Sequence, residues 1–474
     1  MLFSPKDAHT FKVQNTFAPF AQGEGLPLGG VLDPQDVEAL FAEEQVDFGR
    51  TPRAFWTPAL TLWAFLSQVL DADASCRQAV ARVVLAFSLC RQPQELDTAA
   101  YCRARAKLPA EVLEHLTLQV GRELEAAALP SWLWHGRSVS LVDGSTSQLP
   151  DTPANQAAFP QAKTQKPGLG FPLIRWVVLM SLATAAVQGF AYGPYKGKET
   201  GELALFRQIL NNLAAGSIVV ADRYYCSYFL VALLRAHGVD VVLRLHHRRQ
   251  YDFRRGRRLG PDDHLVNWYK PPRPDWMDKA EYAALPDTLS IREIRRQVAQ
   301  PGYRVDELIL ATTLVDADVY EADEVASLYQ ERWQVELDIR TLKVTLGLEQ
   351  LRCQTPFMIA KEIWAHCLAY NLVRKVAAQA AVLAEVSPRS RSFTATKQAV
   401  LASWEKLSAA TAEDYVAGAL ALLHVLRKQK VGHRPGRCEP RRVKRRPKPH
   451  KLLNEPRAEA RARLCNRRNK PTRC

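Results

Sequence analysis

The sequence predicts an α/β fold, and three patterns support that prediction. Short apolar, β-branched segments end at Asp143 and at Asp222, as buried strands do. Residues 328–346 place apolar side chains at the spacing of an amphipathic helix. Residues 54–127 follow a helical pattern throughout. At 474 residues and 47% hydrophobic content, the chain is long enough for more than one domain and a substantial core.

The amino-terminal part is predicted to be helical. In residues 54–127, apolar side chains recur at intervals that give helices with one buried face. Within this part, a short basic segment carries Arg103 and Arg105 and ends at Pro109, which stops a helix. A solvated amphipathic helix in a bundle would show the same pattern. The segment alone therefore does not establish a binding site.

The two aspartates at strand ends are the first candidate site residues. Asp143 is followed by Gly-Ser-Thr, so we expect the strand to end there and to deliver a carboxylate to a turn. Asp222 ends a second strand, and a helix is predicted over residues 228–237. Ligands of α/β sheets bind outside the carboxyl ends of strands, so the two side chains can converge at one sheet edge. Either residue alone is more often a helix cap or a turn residue.

The predicted helix at residues 328–346 supplies a third carboxylate. At about 100° per residue, four polar side chains fall on one narrow stripe beside the apolar face. These are Tyr329, Arg332, Glu336 and Lys343. The same spacing places Asp338 on the solvent-facing side. Basic residues close to a Glu also occur on ordinary surface helices, where each pair stabilises by only tenths of a kcal/mol.

An aromatic residue, Trp333, lies next to this stripe. It falls away from the main apolar face, where it could stack on an unpaired base. Leu337 lies on the same side of the helix, so Trp333 could equally pack with it in the core. The sequence leaves both interpretations open.

Asp143, Asp222 and Glu336 together are predicted to bind metal. Carboxylates supply only oxygen ligands, the preference of Mg²⁺ and Mn²⁺ rather than zinc. Two such ions, about 4 Å apart, can activate an attacking oxygen and stabilise the leaving oxygen in a displacement at phosphorus. Cutting or joining a DNA backbone requires this chemistry.

The formal net charge of +15 is concentrated at the carboxyl end. Residues 427–474 hold 19 basic and 3 acidic residues, whereas the preceding part is nearly neutral, with 45 basic and 46 acidic. Such a segment, mixed with proline and poor in apolar residues, is predicted to be a disordered arm that binds phosphate without sequence specificity. A merely solubilising tail would have the same composition.

Cysteine usage predicts a reduced compartment. The chain has 9 cysteines, an odd number, and none is spaced as a C-x2-C pair. With no secretory signal and no apolar run long enough to span a bilayer, we expect a cytoplasmic protein without a membrane anchor.

These residues resemble a known family, the DDE transposases of bacterial insertion sequences, in the branch typified by insertion sequence four. The resemblance spans roughly residues 137–375. It rests on Asp143-Gly144-Ser145, on Asp222-Arg223-Tyr224-Tyr225, and on Tyr329-x2-Arg332-x3-Glu336-x6-Lys343. The last motif is the most specific, because four residue types match at fixed gaps.

The resemblance implies a ribonuclease H-like fold: a mixed five-stranded sheet with flanking helices, a β-rich insertion and a helical amino-terminal domain. It implies that Asp143, Asp222 and Glu336 are catalytic and hold two Mg²⁺ or Mn²⁺ ions. It also implies a set of DNA contacts. These are Tyr329, Arg332, Lys343, Trp333, Arg223, Arg103 and Arg105.

The insertion is expected at residues 248–311, where arginines are mixed with aromatic residues. Trp268, Tyr269 and Trp276 suit a surface that grips DNA and receives an unstacked base. Five segments follow along the chain. They are a helical DNA-binding domain at 1–130, the first part of the catalytic core at 131–247, the insertion at 248–311, the second part of the core with carboxy-terminal helices at 312–426, and the basic arm at 427–474.

The expected function is DNA transposition in a bacterial cytoplasm, at the nucleoid. The enzyme would cleave transposon ends and transfer strands to target DNA, through a hairpin intermediate that only family membership suggests. Its expected partners are double-stranded DNA, at the terminal inverted repeats and at the target, and a second copy of the chain when bound to DNA. Two alternatives remain: a metal-dependent nuclease without strand transfer, and a non-catalytic DNA-binding descendant. The three intact carboxylates argue against the second alternative.

Overall fold

The structure, a computed structural model, describes residues 40–44, 48, 55–89, 97–297, 307–408, 412–432 and 453–468. Much of the predicted segment 1–130 and most of the basic arm lie outside the described residues. The predicted strands, the insertion and the helix that carries Glu336 lie largely within them.

Helices precede the first strand of the sheet. They are α1 (Pro58–Leu70), α2 (Cys76–Leu89), α3 (Thr98–Lys107) and α4 (Ala110–Ala126). Thr57 caps the start of α1, since its hydroxyl accepts a hydrogen bond from the Leu60 N–H at 3.2 Å. Every residue of α1 after Pro58 is buried, which is the pattern of a helix enclosed on all sides. These elements confirm the predicted helical amino-terminal part.

The central sheet begins with five strands. They are β1 (Val139–Gln148), β2 (Leu173–Ser181), β3 (Val187–Pro194), β4 (Ile218–Ala221) and β5 (Asp240–Arg244). β1, β2 and β3 pair antiparallel, whereas β4 and β5 run parallel to β1, so the order is β3-β2-β1-β4-β5. This mixed sheet with flanking helices confirms the expected ribonuclease H-like fold.

The β-rich insertion extends the same sheet. Its strands are β6 (Arg257–Gly260), β7 (Asp263–Tyr269), β8 (Thr288–Gln297) and β9 (Glu307–Thr312). Each of these strands pairs antiparallel with the next one along the chain, and β9 also pairs antiparallel with β5. The described strands therefore form one nine-stranded sheet, and the insertion is a continuation of the central sheet rather than a second sheet.

The remaining helices cover the sheet. They are α5 (Pro153–Ala158), α6 (Glu202–Gln208), α7 (Tyr228–Ala236), α8 (Lys279–Ala284), α9 (Ala322–Gln330), α10 (Trp333–Arg340), α11 (Pro356–Val382), α12 (Phe393–Ser408), α13 (Ala412–Leu426) and α14 (Arg457–Arg468). Helix α11 packs against both α1 and α4. No described helix has the length and apolar content that crossing a membrane requires.

The two faces of the central strands meet different helices. Leu141 of β1 belongs to an apolar cluster with residues of α1, α4, α10 and α11, whereas Val142 belongs to a second cluster with residues of α6 and α7. Side chains alternate along a strand. Position 143 therefore faces the side of α10, and position 144 faces the side of α6.

Strand β1 does not end at Asp143, and this part of the sequence prediction was wrong. The strand continues because its residues stay paired with β2, with Gly144 opposite Val177 and Gln148 opposite Leu173. Its pairing with β4 stops at Leu141. Asp143 thus lies where β1 loses one of its two neighbours, and not in a turn.

Part of the basic arm is helical, where the composition predicted disorder. Helix α14 lies within it, and Pro456 just before that helix rests against Gly168, where an added Cβ would lie 3.3 Å from the proline ring. The runs of arginine at residues 441–446 lie outside the described residues.

Candidate active site

The register of the parallel strands aligns Asp143 with Asp222. β1 and β4 pair as far as Leu141 opposite Val220. Two residues further along each strand stand Asp143 and Asp222. The two carboxylates therefore leave neighbouring strands at the same level of one sheet edge.

Asp143 is largely buried. Its Oδ1 accepts a hydrogen bond from the Gly144 N–H at 2.8 Å. Burial raises the pKa of Asp143 to about 6, and the negative charges of Asp222 and Glu202 add to the rise, while the Gly144 N–H and Arg332 oppose it. The ionised carboxylate is therefore disfavoured unless a cation is close.

Asp222 begins a short 3₁₀ turn, Arg223–Tyr225. Its Oδ1 accepts a hydrogen bond from the Tyr224 N–H at 2.8 Å. The residue is thus a turn cap, one of the roles that the sequence left open, and it also stands beside Asp143. The cap fixes the direction of the carboxylate where the chain leaves the strand.

The helix that carries the third carboxylate is interrupted, whereas the sequence predicted one continuous helix over residues 328–346. α9 ends at Gln330 and α10 begins at Trp333. Between them the backbone tightens to bonds three residues apart, such as Arg332 N–H to Tyr329 C=O at 3.0 Å. After α10, the segment Thr341–Thr345 widens into a π-helical turn. The angular positions calculated for an ideal helix therefore do not hold across its whole length.

Arg332 links the strand to the helix. Its Nη2 donates to Glu336 Oε1 at 2.7 Å, and its Nη1 lies 3.5 Å from Asp143 Oδ2. A surface helix pair would explain the first contact but not the second, which joins two distant elements. The guanidinium therefore holds Glu336 of α10 near Asp143 of β1.

Lys343 makes a second link between these elements. It lies in the π-helical turn, and its Nζ donates to Ser145 Oγ of β1 at 3.2 Å. Tyr329, at the other end of the motif, is buried at the end of α9. Burial raises the pKa of Tyr329 to about 12, while neighbouring Arg332 and Arg244 oppose the rise. All four motif residues therefore border the part of β1 and β4 where Asp143 and Asp222 stand.

The sequence did not single out Arg244, the last residue of β5. Burial lowers the pKa of Arg244, and the positive charge of Arg223 lowers it further. Tyr329, Arg332 and Asp222 also lie within its electrostatic reach. Two half-buried guanidinium groups thus stand together beside Asp222, an arrangement that favours an anion.

The sequence also missed Glu202, the first residue of α6. A Cβ added at Gly144 would lie 2.5 Å from Glu202 Cδ, so the Glu202 side chain rests directly on β1 next to Asp143. Burial raises the pKa of Glu202, and Asp222 adds to the rise while Arg175 opposes it. A signal was available: β3 runs parallel to β1, so the loop that follows β3 emerges at the edge where Asp143 stands.

The three carboxylates have the chemistry of a divalent-metal site but do not converge on one point. Among the described residues, no three His, Cys, Asp or Glu side chains converge closely enough to hold an ion. Arg332 instead stands between Asp143 and Glu336. The residue types nevertheless fit Mg²⁺ or Mn²⁺, because all three side chains offer carboxylate oxygens. The Arg332 guanidinium between Asp143 and Glu336 shows that a positive charge is favoured there.

Trp333 is on the surface rather than in the core. Its side chain is 49% exposed, and that of Leu337 is 43% exposed. The packing between them that the sequence allowed is therefore not the reason for this tryptophan. An exposed indole at the start of α10, one residue after Arg332, remains free to stack on a base.

The three aromatic residues of the insertion differ in how far they are exposed to solvent. Trp268 is 4% exposed, its Nε1–H donates to Glu293 at 3.3 Å, and the Arg249 guanidinium covers its ring at 3.6 Å. It is a core residue, which corrects the prediction that it faces DNA. Trp276 is half-buried under Arg207, whereas Tyr269 is 74% exposed.

The two arginines of the amino-terminal segment point in different directions. Arg103 on α3 is exposed. Arg105 is turned inward, where its Nη1 donates to Gln68 at 2.9 Å and its guanidinium lies over the rings of Phe65 and Tyr101. Its charge serves the packing of α3 against α1, which corrects the expectation that it contacts DNA and leaves Arg103 as the exposed candidate.

Comparison with known proteins gives consistent results. A family model described as a transposase DDE domain matches residues 134–372. The transposase InsG of insertion sequence element IS4 from Escherichia coli is 28% identical over 350 residues, which cover 73% of this chain and 75% of InsG. The E. coli putative transposase InsZ is 27% identical over 146 residues, which cover 31% of this chain and 48% of InsZ.

A solved structure, the cryo-EM piggyBac transposase synaptic complex with hairpin DNA, aligns over 92% of this chain and 89% of its own at 10% identity. Its TM-score of 0.40 is too low to support any conclusion about mechanism. The family match carries more weight, because it contains Asp143, Asp222, Glu336 and Lys343. Enzymes of that family bind DNA, cleave and join its strands, and use divalent metal ions. The chain belongs to the DDE transposases, in the insertion-sequence-four family, and its function is that of an insertion-sequence transposase.

Proposed function

We propose that Asp143, Asp222 and Glu336 are the metal-binding catalytic residues of this transposase. The observation that supports this most is the strand register, which sets Asp143 beside Asp222, together with the Arg332 bridge from Asp143 to Glu336. Two Mg²⁺ or Mn²⁺ ions held there would activate the attacking oxygen and stabilise the leaving oxygen. Arg332 would exchange its carboxylate contacts for a DNA phosphate when the ions bind.

The residues around the carboxylates would hold the DNA backbone. Lys343 and Arg332 border β1, while Arg223 and Arg244 border Asp222. Half-buried cations favour phosphate oxygens, since partial desolvation strengthens each charge-assisted hydrogen bond. The buried Tyr329 would lie behind these cations and keep its phenol protonated at neutral pH.

Cleavage and strand transfer follow from this arrangement. Water would attack the phosphate at a transposon end and free a 3′-hydroxyl. That hydroxyl would attack the opposite strand and join to its phosphate, with the 3′-hydroxyl of the flanking DNA as the leaving group. A second water would hydrolyse the new bond and free the 3′-hydroxyl again, which would then attack target DNA and release a 3′-hydroxyl of the target strand. If the second attack forms a hairpin, a base must leave the helix, and the exposed Trp333 is placed beside Arg332 to stack on it. The hairpin step is part of the proposal and rests on family membership alone.

The proposal also covers the binding partners of the protein and its location in the cell. The partners would be the terminal inverted repeats and target DNA, contacted also by Arg103 of α3 and by the basic arm, with two copies of the chain pairing on the DNA. The protein would work in the bacterial cytoplasm, associated with the nucleoid. The chain would be divided into the five segments that the sequence predicts.

The test uses the full chain with an end-containing DNA duplex and Mg²⁺. Changing Asp143→Asn, Asp222→Asn or Glu336→Gln should lower the rate of end cleavage by roughly 100- to 1000-fold, the range for losing one essential electrostatic group. Binding of the duplex, measured by gel shift, should remain. The matched control is Glu331→Gln, an exposed carboxylate between α9 and α10.

Retained cleavage in any of the three variants would remove that residue from the catalytic set. The products separate the remaining alternatives. Nicked ends without joined products indicate a nuclease, and joined products indicate transposition.

A further inference from the structure

Glu202 reaches the active site from the face opposite to Glu336. Helix α6 belongs to the apolar cluster on the Val142 side of the sheet, whereas α10 belongs to the cluster on the Leu141 side. Asp143 and Asp222 stand at the strand edge between these two helices. Each face of the sheet thus contributes one glutamate to the same pair of aspartates.

Gly144 provides the space that Glu202 occupies. A Cβ at position 144 would lie 2.5 Å from Glu202 Cδ and 2.9 Å from its Oε1, closer than real contacts allow. The backbone of β1 at this position is ordinary strand, paired with Val177 of β2, so the glycine is not needed for its conformation. The missing side chain therefore has a packing consequence, since it lets a carboxylate lie against the backbone next to Asp143.

The charge of Glu202 has no partner within the described part of the chain. No donor there hydrogen-bonds to its carboxylate, and no Lys, Arg or His nitrogen there lies within 4 Å of it. Arg175, the cation within electrostatic reach, donates instead to the Thr200 C=O at 3.2 Å and lies over the Tyr195 ring. A half-buried carboxylate beside two others and without a counter-ion is costly, so the position favours a bound cation.

Tyr225 points to a ligand independently. Its side chain is 1% exposed, and its hydroxyl has no hydrogen-bond partner in the described part of the chain. Its ring packs edge-on against Phe206 of α6, and Glu202, Asp143 and Asp222 all lie within its electrostatic reach. Buried hydroxyls almost always have partners, so a polar ligand between these carboxylates is expected.

We propose that Glu202 is a fourth metal-binding carboxylate of this active site, which acts with Asp143 and Asp222, and that the Tyr225 hydroxyl hydrogen-bonds to a water of the bound ion. The proposal rests on the proposed metal-dependent function and adds a ligand on the second face. Three carboxylates supply few oxygens for two ions that each take about six ligands. A glutamate from each face would give each ion its own carboxylate, with Asp143 available to both.

The test measures Mn²⁺ binding to the full chain without DNA, by electron paramagnetic resonance of free Mn²⁺. Glu202→Gln should remove one of two bound ions or weaken binding at least about tenfold, since even outer partners of metal ligands contribute that much. Glu199→Gln is the matched control, because Glu199 is an exposed carboxylate three residues away that pairs with Arg207. This control should bind Mn²⁺ like the unsubstituted protein.

Gly144→Ala gives a second test of the same geometry. The new Cβ would displace the Glu202 side chain, so this variant should reproduce the loss seen in Glu202→Gln, and combining both changes should add no further loss. Melting temperatures measured in EDTA establish that each variant is folded. A Glu202→Gln variant that is folded and titrates like the unsubstituted protein overturns the proposal.

Asp143→Asn distinguishes this failure from a failure of the proposed function. If Asp143→Asn loses Mn²⁺ binding while Glu202→Gln keeps it, only the fourth ligand is refuted. If neither change affects Mn²⁺ binding, the metal-dependent function proposed for these carboxylates fails as well.

Discussion

Two carboxylates of α10, only two residues apart, have opposite surroundings. Glu336 is 35% exposed and contacts a single arginine, Arg332. Asp338 is 2% exposed and contacts two arginines, Arg374 at 3.1 Å and Arg389 at 2.9 Å, and the Tyr370 hydroxyl at 3.3 Å. The Glu336 carboxylate can therefore accept a further ligand. The second is satisfied within the fold, where it fastens α10 to α11 and to the segment before α12.

Helix α10 therefore carries one carboxylate that is open to a ligand and one that stabilises the fold. A fully paired buried carboxylate is strongly stabilising relative to a broken pair, whereas an incompletely paired one at a strand edge is tolerated for its chemistry. Asp143 belongs to the second class, because burial makes its ionised form unfavourable. Changes at the two kinds of carboxylate should therefore affect stability with opposite signs.

The largest expected effect is at the structural carboxylate. Asp338→Asn leaves Arg374 and Arg389 buried without a negative partner, and breaking such a pair costs about 3–5 kcal/mol. Urea unfolding should show this loss in the free energy of unfolding. Glu336→Gln on the same helix should change it by less than about 1 kcal/mol, since that pair is partly exposed. Equal losses in both variants would end the distinction.

A smaller effect of opposite sign is expected at Asp143. Its pKa in the folded protein, about 6, exceeds the value near 3.9 of an unfolded aspartate, so the folded state binds the proton more tightly. Stability should therefore fall as pH rises from about 4 to about 6, by roughly 1–3 kcal/mol. Asp143→Asn should remove this fall and stabilise the protein at pH 7 in EDTA.

Urea unfolding at pH 4.5 and at pH 7 measures both parts of that expectation. The Asp143→Asn variant should gain stability at pH 7 and little at pH 4.5. A variant that is less stable than the unsubstituted protein at pH 7 would show that Asp143 is a structural residue like Asp338.

The smallest expected effect concerns DNA binding at Lys343, beside Ser145 of β1. Lys343→Gln should weaken binding of an end-containing duplex and reduce the slope of log K against log salt by about one. Arg340→Gln is the matched control, because Arg340 is an exposed cation at the end of α10, three residues before Lys343. If both variants lower the slope equally, the effect is one of general charge and not of the position of Lys343 beside Ser145.

Much of the fold followed from local pattern. The strands before Asp143 and Asp222 were recognisable because continuous β-branched segments are buried on both faces. The sequence could not reveal that β1 continues past Asp143, because pairing with β2 is a contact between distant segments. Asp143 and Asp222 were found because each follows an apolar, β-branched segment, and Glu336 was found from its helical motif, while the alignment of the two aspartates depends on the strand register.

The errors share one physical cause. Asp338 was assigned to solvent because the spacing of an ideal helix places it on the solvent-facing side, although its partners Arg374 and Arg389 stand 36 and 51 residues later. Arg105 was assigned to DNA by the family resemblance, although Gln68 and Phe65 of α1 contact it. The position of the loop after β3 could have drawn attention to Glu202, but its contact with β1 depends on the space at Gly144, in a distant strand. In each case, the environment is created by residues far away along the chain.

The continuation of the sheet through β9 has a further consequence for how this protein avoids aggregation. Without the insertion, β5 would be an edge strand with unpaired backbone groups open to another chain. With it, that edge passes to β6, a strand of four residues that carries exposed Arg257 and Arg258. Short, positively charged edges resist pairing between molecules. A shortened protein that lacks residues 248–311 should therefore aggregate more readily, whether or not it is catalytically active. The insertion thus protects the solubility of the central sheet.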